Sequence, residues 1–153
     1  MIWFRIDNRL IHGQIIEAWL PYLNAGRLVV VNDELAVDDI RQEIMRLAIP
    51  ERISALFVSM EQARAVHDKL AGQKVYALFL FSNCEDALKL TEQGVPMTVL
   101  NVGNMHYATG KQQICQHVAA SENDLRCFDE LRSRGVKLDF RCVPSDKPVV
   151  EEW

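Results

Sequence analysis

The chain has 153 residues, a net charge of −4, 49% hydrophobic residues and 25% charged residues. That composition suits one domain able to bury roughly two-thirds of its unfolded surface. It excludes a disordered chain and offers no basic stripe for nucleic acid. Cys84, Cys115, Cys127 and Cys142 contain no CxxC pair, so zinc and redox motifs have no support, and the thiols read as reduced thiols of a cytoplasmic protein.

The N-terminal MIWFRID is too short and turns polar too soon for a signal peptide. No apolar run approaches the ~20 residues of a membrane span. The chain is therefore expected not to span a membrane, and to serve any membrane process from the soluble side.

Taken in chain order, compact apolar runs alternate with helical patterns. Residues 2–6 (IWFRI), 27–31 (RLVVV), 53–58 (ISALFV), 75–80 (VYALFL) and 97–100 (MTVL) read as strands covered on both faces. Between them, Ile11, Ile15, Ile16, Trp19 and Leu23 form a helical stripe. Ile40, Ile44 and Leu47 form a second, led by Leu35 and Ala36. Ala63, Val66, Leu70 and Ala71 form a third, and Ala87, Leu88 and Leu90 a fourth. No stripe looks spare, so a monomer and a weak dimer are equally acceptable.

Residues 112–120 (QQICQHVAA) fit a short helix or a strand. Residues 122–134 read as a helix, with Ser121 as N-cap and Gly135 as its stop. Residues 137–143 (KLDFRCV) alternate as a final strand, at an edge. The tail SDKPVVEEW reads as loosely held, with Trp153 able to dock. The whole, residues 1–153, is expected to be one α/β domain of right-handed βαβ units around a mostly parallel sheet.

In such a sheet, ligands sit beyond the carboxyl ends of the strands. RIDNRLIHGQ (5–14) leaves the first strand at that end. Arg9 offers a planar fork of donors for phosphate or carboxylate. His12 can act as nucleophile or proton carrier near neutral pH. Gly13 admits close backbone approach, and the helix start behind it favours an anion. A phosphoryl group placed on His12 suits all of these features.

Asn32 and Asp33, Ser82 and Asn83, and the loop NVGNMHYATGK (101–111) add polar groups to the same rim. The two glycines and Lys111 of that loop suit an anion cradle. Plainer roles exist for each. Arg9 could pair with Asp7 or Glu17, and Asp7 could simply bond local backbone N–H groups. Ser82 suits an N-cap, Gly103 and Gly110 suit turns, and His67 suits a helix surface. Trp3 and Trp19 read as packing residues. His12 and His106 could share a metal, but no His-x₃-His or carboxylate pair supports one, so no metal and no cofactor is expected.

RIDNRLIHGQ, Trp19, VVVNDELA (29–36) and NVGNMHYATGKQQI (101–114) together resemble the enzyme IIB component of the mannose/fructose/sorbose-type sugar phosphotransferase systems. NVGNMHY is particularly similar to the galactosamine-type members. The resemblance spans nearly the whole chain. It implies a mostly parallel sheet of about seven strands with helices on both faces.

The resemblance also implies a cytoplasmic phosphoryl carrier. Phosphate would pass from phosphoenolpyruvate through two general carriers to a IIA component. From there it would reach His12, and then a sugar delivered by membrane partners IIC and IID. On the same resemblance Arg9 stabilises the phosphoryl group and Nδ1 of His12 attacks. Asp7 holds Arg9 or the loop. Gly13 and Gln14 supply backbone donors, with Ser82 and Gly103 as further phosphate contacts.

Asn8 stands where many relatives carry an acidic residue, and Asn104 where many carry glycine. The chain begins almost at strand one, so the donor is expected to be a separate IIA protein. Other readings are a binding module for a nucleotide or small anion, weakened by the lack of GxGxxG and GxxxxGK[ST], and a regulatory protein that accepts phosphate without passing it on. A histidine phosphatase would need a general acid that the sequence does not place.

Overall fold

The computed structural model describes residues 1–148. Trp153 therefore lies outside the described residues. Strand β1 (Ile2–Asp7) is followed by a π-helical segment, Gln14–Trp19, which runs into helix α1 (Leu20–Leu23). Then come β2 (Arg27–Val31), α2 (Asp33–Ala36), α3 (Asp39–Leu47), β3 (Ser54–Val58), α4 (Met60–Ala71), β4 (Ala77–Phe81) and α5 (Cys84–Glu92). The chain continues through β5 (Val99–Asn104), β6 (Gln112–Cys115), β7 (Val118–Ala120), α6 (Glu122–Ser133) and β8 (Lys137–Asp139). Among the described residues no helix is long and apolar enough to cross a membrane.

Six strands form one parallel sheet in the order β3-β2-β4-β1-β5-β8, and β6 and β7 make a separate antiparallel pair. The mostly parallel α/β reading holds, and the ambiguous residues 112–120 resolve into this small ribbon. Period-two alternation sends successive side chains to opposite faces. Val29, Val31, Phe79 and Phe81 join one apolar cluster, while Leu28, Val30, Leu78 and Leu80 join another. Helices α4, α5 and α6 contribute Ala63, Leu90 and Phe128 to the first cluster, and the π-helical segment, α1 and α2 contribute Ile15, Leu20 and Leu35 to the second.

The π-helical stretch has a packing reason. Widening the turn to i→i+5 bonding lets Trp19 and Leu20 share the face of Ile15, and all three are buried. Helix α6 ends as its sequence indicates. Ser121 and Asp124 form a reciprocal capping box, and Gly135 takes φ +85° just past the last turn.

Three readings are corrected here. The stripe of α3 faces outward: Ile40, Ile44 and Leu47 are 76%, 62% and 88% exposed, and Val37 beside them is 84% exposed. A spare apolar stripe is thus present. The inward side of α3 is mixed: Met45 packs against the second apolar cluster, and polar side chains beside it reach backbone carbonyls. Gln42 donates to the Leu35 carbonyl, and Arg46 donates to the Ala55 carbonyl while lying over the Phe57 ring. His67 is buried rather than on the helix surface, packed against Phe4 and Phe79 with Nδ1 on Asp68. Residues 101–104, read as loop, belong to β5, while β8 stops at Asp139.

This arrangement gives a stability contrast. Ile44→Gln removes side-chain surface already in water, so the unfolding free energy should stay within about 0.5 kcal/mol of the parent. Ile15→Ala empties a fully buried position and should cost about 2–5 kcal/mol. Urea unfolding of both variants checks the two values.

Candidate functional site

Strand β1 lies between β4 and β5. The chain leaving β1 turns to the face carrying Ile15, whereas the chain leaving β5 leads to α6 on the other face. The carboxyl ends of β1 and β5 therefore flank a switch point of the sheet, where α/β folds place ligands. Asp7 closes β1 there and Asn104 closes β5.

The register between these strands slips. Ile6 pairs with Val102, but Asp7 pairs with Asn104, leaving Gly103 as the extra residue of a bulge. The slip sets Asn104 beside Asp7, where its Nδ2 donates to Asp7 Oδ2 at 2.8 Å and to Gln14 Oε1 at 3.0 Å. A Cβ on Gly103 would stand 1.9 Å from the Arg5 guanidinium carbon. Glycine is required there because the guanidinium lies against the backbone. Gly103 is thus a strand residue, neither a turn glycine nor part of an open anion loop.

Asp7 is the hub. Its Oδ2 accepts from Arg5 Nη2, His12 Nε2 and Asn104 Nδ2, each at 2.8 Å, and its Oδ1 accepts from the Arg9 backbone N–H at 3.1 Å. The local backbone role expected of Asp7 is therefore present, with three further side-chain partners added. The ion pair, however, is with Arg5 and not with Arg9. Both Arg5 and Asp7 have side chains with no exposure. Burial pushes the Asp7 carboxyl upward, but the His12 bond, the Arg5 charge and the Asn104 bond outweigh it and hold the group below the ordinary carboxylate range. Burial pushes the Arg5 guanidinium below its ordinary value, partly offset by Asp7.

An ionised carboxylate only accepts. With Asp7 ionised, His12 Nε2 carries the hydrogen it shares with Asp7, and in the neutral imidazole the lone pair then lies on Nδ1. Nδ1 is buried and, among the described residues, has no hydrogen-bond partner. Asn8 Oδ1 is the same. Both atoms lie on the loop between β1 and the π-helical segment.

That loop is pinned and strained. The Asn8 N–H donates to the Asn104 carbonyl and the Leu10 N–H to the Asp7 carbonyl. Leu10 adopts φ +55° with its side chain buried. The left-handed conformation costs about 1–2 kcal/mol for a residue of this kind, and burying leucine contributes about 1.5–3 kcal/mol in return.

Arg9 is exposed and has no ion-pair partner among the described residues, Asp7 and Glu17 included. Gly13 is exposed, takes helical φ −53°, and has open space around its Cα. Its use is openness, not a conformation closed to other residues. The Gln14 side-chain Oε1 turns inward, where it accepts from Asn104 Nδ2 and the Cys142 thiol. Ser82 joins a different cluster. Its Oγ accepts from Asn32 and Asn83, and Asn83, rather than Ser82, caps α5.

His106 lies exposed on the loop after β5, where its carbonyl accepts from Lys111 Nζ. Among the described residues no group of three His, Cys, Asp or Glu side chains is placed to hold a metal. All four cysteines are free thiols. Arg5, Asn101 and Asn104, which surround Asp7 or its partner, are not given a site role by the sequence reading. The signal for Arg5 was present: a charge inside a strand covered on both faces has to be paired.

Comparison with known proteins supplies context for this geometry. Residues 1–151 match the family model described as "PTS system sorbose subfamily IIB component". The chain is 39% identical over 145 residues to the sorbose-specific EIIB component of Klebsiella pneumoniae, covering 95% of this chain and 88% of that one. It is 38% identical to the mannose-specific EIIAB component of Escherichia coli K12, covering 93% of this chain but 44% of that longer protein. The crystal structure of the N-acetylgalactosamine-specific IIB component 1 from Escherichia coli superposes with a TM-score of 0.92 at 34% identity, covering 98% of this chain and 99% of the other.

The Asp7 hub makes stability sensitive to acid. Its folded pKa is depressed, so the stabilisation is complete above the unfolded carboxylate value of about 3.9. It is lost as pH falls through the lower folded value. Unfolding free energy measured by urea between pH 7 and pH 2 should drop below about pH 4, and Asp7→Asn should make that drop shallower. An unchanged slope in the variant counts against the hub.

Proposed function

The chain belongs to the sorbose subfamily of phosphotransferase-system IIB components, and from that premise we propose that residues 1–153 work as one cytoplasmic phosphoryl-carrying unit. Phosphate arrives from a phosphorylated IIA component, rests on His12, and leaves to a sugar held by the membrane components IIC and IID. The observation that carries this reading is the state of His12. One ring nitrogen is fixed on a buried carboxylate at 2.8 Å, and the other is bare.

The step on this chain balances simply. The Nδ1 lone pair attacks the phosphorus of the donor phosphohistidine in line. The new N–P bond forms as the old one breaks, and the electron pair returns to the donor imidazole. Nε2 keeps its proton, and Asp7 stabilises the positive ring that results. Phosphoryl transfer needs mainly alignment and charge stabilisation. Arg9, exposed and unpaired among the described residues, swings onto the equatorial oxygens. Backbone N–H groups at Ile11, Gly13 and Gln14, at the start of the helical segment, add dipolar support.

Nδ1 is shielded in the free protein, so docking of the donor has to shift the loop around it. The site requires no metal on this reading, because one arginine and helix-terminal donors supply the charge. Ser82 belongs to the rim, with its hydroxyl held by Asn32, and it shapes the docking face more than the phosphate pocket. Gly103 acts through the space it leaves for Arg5.

Incubation with phosphoenolpyruvate, the two general carriers and a mannose-type IIA, followed by intact-mass measurement, tests the proposal. One acid-labile phosphoryl group is expected, absent in His12→Ala. No uptake by folded protein from several competent donors overturns the carrier reading and favours an anion-binding module. Phosphate uptake without transfer to any sugar by membranes containing IIC and IID favours the regulatory reading. Arg9→Ala should slow transfer at saturating donor by about 10²–10³-fold, the cost of losing one charge-stabilising donor, with a much smaller change in half-saturation. Equal saturated rates in mutant and parent refute that role.

A further inference from the structure

Among the described residues Arg5 is the largest fully buried side chain. It shares Asp7 Oδ2 with His12. Its Nε and Nη2 donate to Asp7 Oδ2 at 3.3 and 2.8 Å, and Nη2 also donates to the Cys142 carbonyl at 3.1 Å. Nη1 donates to Asn101 Oδ1 and, at 3.3 Å, to the Arg141 carbonyl. These bonds use all five N–H groups of a guanidinium. The Trp19 ring lies 5.0 Å from its central carbon, and the Trp19 Nε1–H holds the same Cys142 carbonyl at 2.8 Å.

A fork held from five sides cannot follow a substrate. It can only fix what it grips, and on the site side it grips Asp7. We infer that Arg5 is a positioning residue for phosphoryl transfer, acting through Asp7 to keep the proton on His12 Nε2 and the lone pair on Nδ1. Gly103 is part of the same device, because no side chain fits between its Cα and the guanidinium.

The chemistry follows from what Asp7 would do without the fork. A carboxylate with no exposure and no counter-charge gains a proton or turns away. A protonated Asp7 would donate to Nε2, and the imidazole hydrogen would then have to sit on Nδ1, the wrong nitrogen for attack. Asn104 also donates to Asp7 Oδ2, but it is neutral. The charge facing Asp7 comes from Arg5, with His12 itself as the second titrating neighbour. Beyond β8, Asp139 and Arg141 are turned toward each other at 2.8 Å, and Asp146 accepts from the Cys142 and Val143 backbone N–H groups.

This inference rests on the carrier reading, and its test separates the two. Histidine-¹⁵N-labelled protein would be examined by long-range ¹H–¹⁵N spectra from neutral to alkaline pH, without any phosphate donor. Wherever its imidazole is neutral, wild-type His12 should show the Nε2–H tautomer. A substantial Nδ1–H population in wild type overturns the inference, and that measurement depends on no variant folding.

Gly103→Ala, which must displace the guanidinium, and Arg5→Lys, which keeps the charge but not the fork, come second. With folding confirmed by dispersed amide spectra, both should mix the tautomers, Arg5→Lys less than Gly103→Ala. Both should lower the saturated transfer rate from phospho-IIA by at least about tenfold, leaving half-saturation within about twofold. Folded variants with wild-type tautomer and rate overturn the role. Wild-type protein with the Nε2–H tautomer but no phosphate uptake overturns the carrier reading instead, and leaves the Arg5–Asp7–His12 linkage standing.

Discussion

A guanidinium with no contact with water must find an acceptor for every N–H inside the protein. That single constraint organises this molecule's upper sheet. Arg5 projects from the middle of β1, and its acceptors come from Asp7 on the same strand, Asn101 on β5, and the carbonyls of Arg141 and Cys142 beyond β8. Three stretches far apart in sequence are thereby drawn to one point. Arg5 shares the task of holding the segment after β8 with Trp19 Nε1–H on the Cys142 carbonyl, Asn101 on the Arg141 carbonyl and the buried Phe140 ring. The glycine at 103, the strand slip beside it and the indole of Trp19 all read as accommodations to one flat cation.

Removing either member of so buried a pair leaves the other uncompensated, at a cost of about 3–5 kcal/mol. Yet a well-packed apolar pair of similar volume is often at least as stable. Stability alone therefore gives weak grounds for keeping a charge there. The asymmetry of the contacts gives a better one. The same oxygen that takes Arg5 Nη2 takes His12 Nε2 at an equal 2.8 Å, so whatever fixes the ion pair also fixes the imidazole.

Much of the fold was legible because the central strands are compact apolar runs covered on both faces. RLVVV and the segment ending in FLF divide cleanly between two apolar clusters, and Ser121 and Gly135 mark the ends of α6 in local chemistry. What resisted reading was tertiary. Asn101–Asn104 looks like loop composition because Asn and Gly are poor strand formers, but the side chains are polar to serve Arg5 and Asp7 across the strand. The stripe of α3 has the period of a buried helix. Its orientation is set by Arg46 and Gln42 reaching inward for carbonyls, which no periodicity reveals. His12, Arg9 and Asp7 were identifiable from one motif, which offered Arg9 or the loop as what Asp7 holds; the bond to the loop backbone is there, but the ion pair is with Arg5, which the pleat places on the same side as Asp7.

The two arginines of that motif thus have opposite physics. Arg5 is rigid, buried and neutralised by Asp7. Arg9 is exposed and free of an ion pair among the described residues. On the carrier reading this division matters, because a carrier must accept a phosphoryl group and release it again. Two mobile cations in a dry pocket would hold the product too firmly, since charge attraction strengthens steeply as water is excluded. A site with only surface charge would leave the imidazole free to place its proton on either nitrogen. Placing one cation out of reach of the phosphate, where it controls protonation, and leaving the other in solvent, where it can grip and let go, separates the selectivity of the nucleophile from the affinity for its cargo. Each can then change without the other.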